Sequence, residues 1–215
     1  MSDFAWMDVE LVPRPVLHGA QDGLSERGVV YFGRPFTTAF DPASASETTR
    51  AYAVEHEDVA DFRRLVLPLN MTPRPGEPLT SVAVQGAAQQ ADGRTLFWDP
   101  VPCRLTDSGT RDSRVSVTAD FGLVQSQAET AVQRQTQASF LRARGAGTGI
   151  VQWEFTRRSG GELDGIYELI ATVELPRGAS GAVLLSAAAR IHKKRLGVIG
   201  YTVRLPEELA TVLLP

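Results

Sequence analysis

The sequence from Val151 to Leu205 reads VQWEFTRRSG GELDGIYELI ATVELPRGAS GAVLLSAAAR IHKKRLGVIG YTVRL. Hydrophobic side chains recur in it at every second position, the period of a β-strand with one buried face. Polar stretches, two of them rich in glycine, divide it into four strands. The inward positions are Val151, Trp153 and Phe155, then Tyr167, Leu169, Ala171, Val173 and Leu175, then Val183, Leu185, Ala187, Ala189 and Ile191, then Ile199, Tyr201, Val203 and Leu205. The pattern predicts an antiparallel β-meander over residues 148–205.

Shorter alternating segments precede this stretch, at residues 65–69, 82–84, 95–98 and 115–121. Turn signals recur between them at spacings of roughly 10–15 residues, which is typical of a sandwich or barrel and not of βαβ units. We therefore predict one all-β domain over residues 1–215, an antiparallel β-sandwich of about eight to ten strands. Trp153 is expected in the core between the sheets, near Phe155, Tyr167, Leu169 and Tyr201.

Two segments depart from the β pattern. Leu123 to Arg144 contains no glycine or proline, has an S-x-x-E capping box at Ser126, and stops at Gly145, so it predicts one accessory surface helix. An alternative, left open, has residues 138–143 extended as a strand entering the next hairpin. Within the irregular, acidic region 1–60, Phe40 to Arg50 is rich in small polar residues and predicts a mobile loop. A short helix is expected after Pro206.

Composition narrows the class of protein. The chain has 215 residues, of which 43% are hydrophobic and 22% charged, with a net charge of −3. These values exclude a disordered tail, a collagen or a coiled coil, and give no basis for expecting a nucleic-acid partner. With a single cysteine, Cys103, neither an internal disulfide nor a thiolate zinc site is expected, and no cofactor is predicted.

The location and source are also predicted from composition. No signal peptide or transmembrane segment is recognisable in the sequence, so a cytoplasmic location is expected. Arginine occurs 20 times, lysine only at Lys193 and Lys194, and asparagine only at Asn70. This bias indicates a GC-rich gene, and a bacterial, specifically actinobacterial, source is our hypothesis.

The densest group of titratable residues is Glu55-His56-Glu57-Asp58, with Asp61 just beyond. His56, Glu57 and Asp61 offer imidazole and carboxylate groups, so they are the candidates for a divalent metal site or a carboxylate-tuned histidine base. The alternative is a solvated loop, because adjacent residues of an extended chain point to opposite sides. No Gly-x-Ser-x-Gly motif supports serine catalysis.

The densest basic cluster comprises Arg190, His192, Lys193, Lys194 and Arg195. On a hairpin tip it could contact phosphate groups or an anionic membrane surface. The favoured alternative is a solvated turn whose lysines discourage edge-to-edge pairing of strands.

Charge is distributed unevenly along the chain. Residues 1–60 carry four basic and ten acidic side chains, whereas residues 133–205 carry eleven basic and five acidic ones. The acidic region can pair with the basic region either within one molecule or between two molecules. We therefore predict a non-catalytic, cytoplasmic binding or assembly module that contacts a protein partner or itself. The alternatives are an enzyme with a metal or His–carboxylate site near His56, and an anionic-surface binder using the basic cluster.

Overall fold

A computed structural model describes residues 5–14, 25–89, 94–102, 104–105, 140–158, 161–194 and 196–214. The predicted strand over 115–121, residues 123–139 of the predicted helix, Cys103 and Arg195 lie outside these ranges. The described chain forms two antiparallel sheets that enclose a common hydrophobic core. The predicted all-β antiparallel sandwich is therefore confirmed.

The described residues form fourteen strands and two α-helices, together with a 3₁₀ turn at Pro42–Ser44. The strands are β1 (Trp6–Asp8), β2 (Glu10–Pro13), β3 (Val30–Gly33), β4 (Phe36–Ala39), β5 (Ala60–Met71), β6 (Leu79–Gln89), β7 (Leu96–Val101), β8 (Arg104–Leu105), β9 (Leu141–Arg144), β10 (Ile150–Thr156), β11 (Gly165–Pro176), β12 (Gly181–Lys193), β13 (Gly197–Arg204) and β14 (Thr211–Leu214). The helices are α1 (Glu47–Glu55) and α2 (Glu207–Ala210). The expected eight to ten strands were too few.

The strands are divided unequally between the two sheets. The six-stranded sheet has the order β1-β3-β5-β11-β7, with β4 also paired to β5. The eight-stranded sheet has the order β2-β13-β12-β6-β10-β9-β8, with β14 paired to β12 beyond the end of β13. The long pairs β5–β11 and β6–β12 form the centre of the two sheets.

The core lies between the inner faces of the sheets, where alternate residues of each strand are buried. Trp153 and Phe155 of β10 are fully buried, as are Leu169 of β11 and, with 2% exposure, Tyr201 of β13. Tyr167 packs against this cluster, with its ring centroid 4.9 Å from that of Phe155. The predicted core around Trp153 is confirmed.

The predicted meander over residues 148–205 requires correction. All four strands exist, but only β12 and β13 are joined as a hairpin. β10 pairs with β6 and β9, whereas β11 crosses to the six-stranded sheet and pairs with β5 and β7. The alternating pattern shows that each strand has one buried face, but both sheets of a sandwich bury such a face, so the pattern does not assign a strand to a sheet.

The end of the predicted helix was also wrong, because Leu141–Arg144 is the strand β9, as in the alternative that the sequence left open. Gly145 does not stop a helix; it opens the turn between β9 and β10 with φ of +109°. A Cβ atom at this position would lie 1.9 Å from the carbonyl oxygen of Ile150, so the close approach of the two strands requires glycine.

The helix α1 begins within the predicted mobile loop, Phe40 to Arg50, and overlaps its last four residues. α1 begins after Ser46, whose hydroxyl accepts a hydrogen bond from the backbone N–H of Thr49. Asp99 of β7 accepts hydrogen bonds from the backbone N–H and the hydroxyl of Ser46, at 2.8 and 2.7 Å. This contact comes from a residue distant in sequence and fixes the start of the helix. The expected terminal helix is confirmed as α2.

Candidate binding surfaces

The outer face of the eight-stranded sheet carries an exposed apolar patch. Leu184 of β12 lies level with Ala87 of β6, which lies level with Ile150 of β10, while Leu213 of β14 pairs with Ala182 one row away. Ile150, Leu184 and Leu213 are 50%, 42% and 76% exposed. We call these five residues the apolar patch. Large apolar side chains grouped on one exposed face are typical of an interaction surface.

Charged residues flank the apolar patch on its two sides. Arg142 and Arg144 are exposed on β9, which follows β10 in the strand order. On the opposite side, exposed Glu207 and Glu208 belong to α2, the helix that leads directly into β14. Arg142 lies level with Glu154 of β10 and Arg144 lies level with Gln152, so the β9 margin is basic chiefly through Arg144, whereas the α2 margin is acidic.

The hairpin between β12 and β13 carries the described part of the basic cluster at the far end of the same sheet. Arg190, His192 and Lys194 are exposed, as the sequence predicts for a solvated turn. Two apolar residues of the hairpin are exposed with them, because Leu196 is 73% and Val198 is 56% exposed. The sequence reasoning considered only the charges and missed this apolar component.

Lys193 does not belong to the exposed surface. It occupies an inward position of β12, is 9% exposed, and its ammonium group lies 2.8 Å from Glu26 Oε1 while also donating to Glu77. Arg74 donates to the other carboxylate oxygen of Glu26. The side chains of Lys193, Arg74, Glu26 and Glu77 thus form a partly buried ionic cluster. Lys193 is consequently removed from the candidate anion contacts, since its charge is neutralised internally.

The pKa of Lys193 shows the balance of forces in the ionic cluster. Burial alone would lower it, but hydrogen bonds and Coulombic attraction from Glu26 and Glu77 outweigh burial and raise the pKa above 10.5. Burial raises the pKa of neighbouring Tyr201 above 10.0. Lys193 is therefore charged at neutral pH in the folded protein.

The ion pairs between distant segments bear on the uneven charge distribution. Glu26 pairs with Lys193, and Glu10 with Arg204, so two acidic residues of region 1–60 meet basic residues of β12 and β13. β2 also pairs with β13 in the eight-stranded sheet. At these positions the acidic residues of region 1–60 are paired with basic residues of the same molecule.

His56, Glu57 and Asp61, the residues proposed for a metal site, do not converge on one point. His56 follows the last residue of α1; its ring stacks on Tyr52 at 3.9 Å, and its Nδ1 lies 2.9 Å from the Tyr52 carbonyl oxygen. Glu57 is exposed, and Asp61 accepts a hydrogen bond from the backbone N–H of Gly178. Among the described residues, no three His, Cys, Asp or Glu side chains are grouped to hold a metal ion.

The ring of His56 belongs instead to an aromatic cluster that holds α1 on the six-stranded sheet. Tyr52 lies between His56 and Trp98, with ring centroids 3.9 and 4.5 Å away, and meets Phe62 edge-on. Glu174 of β11 accepts hydrogen bonds from Trp98 Nε1 at 2.8 Å and from the Tyr52 hydroxyl at 3.3 Å. Burial, then Glu174, raises the pKa of Tyr52. Tyr52 of α1 thus packs against Trp98 of β7 and Phe62 of β5, and these contacts anchor the helix to the six-stranded sheet.

We predict that Glu174→Ala lowers the free energy of unfolding by about 1–2 kcal/mol, because both the indole N–H and the phenol lose a carboxylate partner. Urea denaturation monitored by circular dichroism measures this loss. Glu168→Ala, at an exposed outward position of the same strand, is the matched control and is expected to change stability by less than about 0.5 kcal/mol. Equal losses in the two variants would contradict an anchoring role for Glu174.

No protein-family model matches the chain, and no curated protein matches it in sequence. No helix among the described residues combines the length and apolar character required to cross a membrane.

Proposed function

We propose that this protein is a non-catalytic binding and assembly module that associates with a second copy of itself through the outer face of its eight-stranded sheet. The observation that carries the proposal is the apolar patch, in which Ile150 of β10, Leu184 of β12 and Leu213 of β14 are exposed, with Ala87 of β6 between Leu184 and Ile150. A cytoplasmic location and a bacterial, actinobacterial source stay predictions of the sequence.

The small and large apolar side chains of the apolar patch support packing against the flat outer face of a second sheet. Ala87 and Ala182 lie beside the leucines, so backbone can be approached closely there. A second copy of the chain presents a face of identical shape and composition. Stacked sheets pack about 10 Å apart when their facing residues are apolar.

The charged margins support a two-fold arrangement. With a two-fold axis parallel to the strands, the β9 side of one copy faces the β14 side of the other. Arg142 and Arg144 of each copy then approach Glu207 and Glu208 of its partner. Opposite charges at both margins favour this pairing over the alternative in which arginines face arginines.

We expect light scattering and sedimentation equilibrium to show a dimer that dissociates on dilution and that salt weakens only in part, because salt screens the charged margins and not the apolar patch. The double variant Leu184→Asp/Leu213→Asp is expected to weaken dimerisation more than about 100-fold, since two apolar side chains per copy lose their burial. Ile166→Asp is the matched control: it places the same charge at an exposed strand position of the six-stranded sheet, and the dimer should persist.

A wild-type protein that is monomeric at all concentrations in low salt would overturn self-association. A dimer that survives Leu184→Asp/Leu213→Asp would place the interface elsewhere and overturn the role of the apolar patch.

A further inference from the structure

The tip of the β12–β13 hairpin combines exposed apolar and basic side chains. His192 pairs with Val198, and Lys193 with Gly197, so the hairpin ends in a tight turn that carries Lys194 and Leu196. Gly197 has φ of +72°, the left-handed conformation that closes such a turn. Leu196 and Val198 are among the most exposed large apolar residues of the described chain.

Basic side chains lie beside these apolar residues. Arg190 precedes His192 on the outer face of β12, and its partner across the hairpin is Gly200. The backbone of Arg14 donates to the Gly200 carbonyl oxygen, which brings a second exposed arginine next to this row. Among the described residues, Arg14, Arg190 and Lys194 make no ion pair.

Acidic groups near the tip are neutralised by the ionic cluster. Glu26 and Glu77 both direct their carboxylates to the inward-facing Lys193. Arg74 provides a further cation to Glu26. Lys193 and Arg74 together therefore balance the charges of Glu26 and Glu77 and leave the outward cations of the hairpin uncompensated.

We infer that this hairpin tip binds the anionic surface of a phospholipid bilayer. Leu196 and Val198 enter the boundary between headgroups and acyl chains, while Lys194, Arg190 and Arg14 contact the lipid phosphates and carboxylates. Two apolar side chains give little affinity for neutral lipid, so binding requires negative surface charge and weakens as salt screens it. This inference goes beyond the proposed self-association and uses different residues.

The test is co-sedimentation of the purified full chain with phosphatidylcholine vesicles, with and without phosphatidylserine. We expect binding only to vesicles that contain phosphatidylserine. Arg190→Ala/Lys194→Ala is expected to reduce the partition coefficient roughly 30-fold, as two basic residues leave an anionic surface. Leu196→Ser/Val198→Ser, which keeps every charge, is expected to reduce it about ten-fold or more.

Matched controls separate this inference from general charge effects and from dimerisation. Arg34→Ala/Arg50→Ala removes the same charge from exposed positions after β3 and in α1, and should change vesicle binding much less than Arg190→Ala/Lys194→Ala does. Leu184→Asp/Leu213→Asp should still bind phosphatidylserine vesicles, because Leu184 and Leu213 lie outside the hairpin tip, and loss of this binding would count against the inference. Equal binding to neutral vesicles, retention on heparin without vesicle binding, or full binding by Leu196→Ser/Val198→Ser would each overturn the inference.

Discussion

Replacing Trp153 by alanine is expected to lower the free energy of unfolding by about 3–5 kcal/mol. Trp153 is fully buried on β10, a strand with partners on both sides in the eight-stranded sheet. Truncation removes the largest side chain of the core and leaves a void between sheets that are each held by long strand pairs. Because such a framework collapses only in part, the loss is expected in the upper part of this range.

Trp153→Phe is expected to cost much less than Trp153→Ala, about 1–2 kcal/mol. Trp153 Nε1 is buried and has no hydrogen-bond partner in the described part of the chain, so phenylalanine removes an unsatisfied donor together with part of the ring. Trp98→Phe is the matched comparison, since the indole of Trp98 donates to Glu174. Urea denaturation with linear extrapolation measures all three variants. Equal losses for Trp153→Phe and Trp153→Ala would contradict this account.

Replacing Lys193 by methionine is expected to lower the free energy of unfolding by about 2–3 kcal/mol at neutral pH. Methionine retains much of the apolar stem but leaves Glu26 and Glu77 facing each other with Arg74 as the remaining cation. Removing one member of a buried ion pair costs more than the pair itself contributes, because the other charges stay desolvated. The expected loss of stability is smaller than for a fully buried ion pair, because the Glu77 side chain is 32% exposed and solvent screens its charge.

Lys194→Met is the matched control for Lys193→Met, because the two lysines are adjacent and Lys194 is exposed. It should change stability by less than about 0.5 kcal/mol. A comparable loss in both variants would show that the ionic cluster does not stabilise the fold.

The stabilisation from Lys193 has a defined pH range. Its pKa is raised in the folded state, so the contribution is complete below the pKa of the unfolded chain and is lost as the pH rises through the higher folded value. Tyr167 acts in the same direction, because burial and then Asp164 raise its pKa to about 12. We therefore expect wild-type stability to fall above about pH 10, and the deficit of Lys193→Met to shrink there.

The sequence predicted the buried faces well because burial of one strand face imposes a period of two on local side chains. Trp153, Phe155 and Tyr201 could be placed in the core on this basis. Sheet membership depends on pairing between segments that are far apart in sequence, so the crossing of β11 to the other sheet left no local signal. For the same reason, the sequence could not place Ile150, Leu184 and Leu213 on one face.

The helix α1 shows a second limit of local reasoning. Its sequence has weak helical amphipathicity, and its position is fixed by contacts with Asp99, Trp98 and Glu174 on distant strands. Lys193 shows the opposite case: its place in a run of charged residues predicted an exposed side chain, but the side chain is buried. The outcome depended on Glu26 and Glu77, which are supplied by two other segments.

The pairing of β5 with β11 and of β6 with β12 has a consequence during synthesis of the chain. Each central pair joins strands about a hundred residues apart, such as Met71 opposite Gly165. While the ribosome has completed only the first half, β5 and β6 lack these neighbours and expose apolar side chains. Long loops must close before either sheet is complete, so we expect the nascent polypeptide to acquire its native packing late and to be prone to aggregation until then.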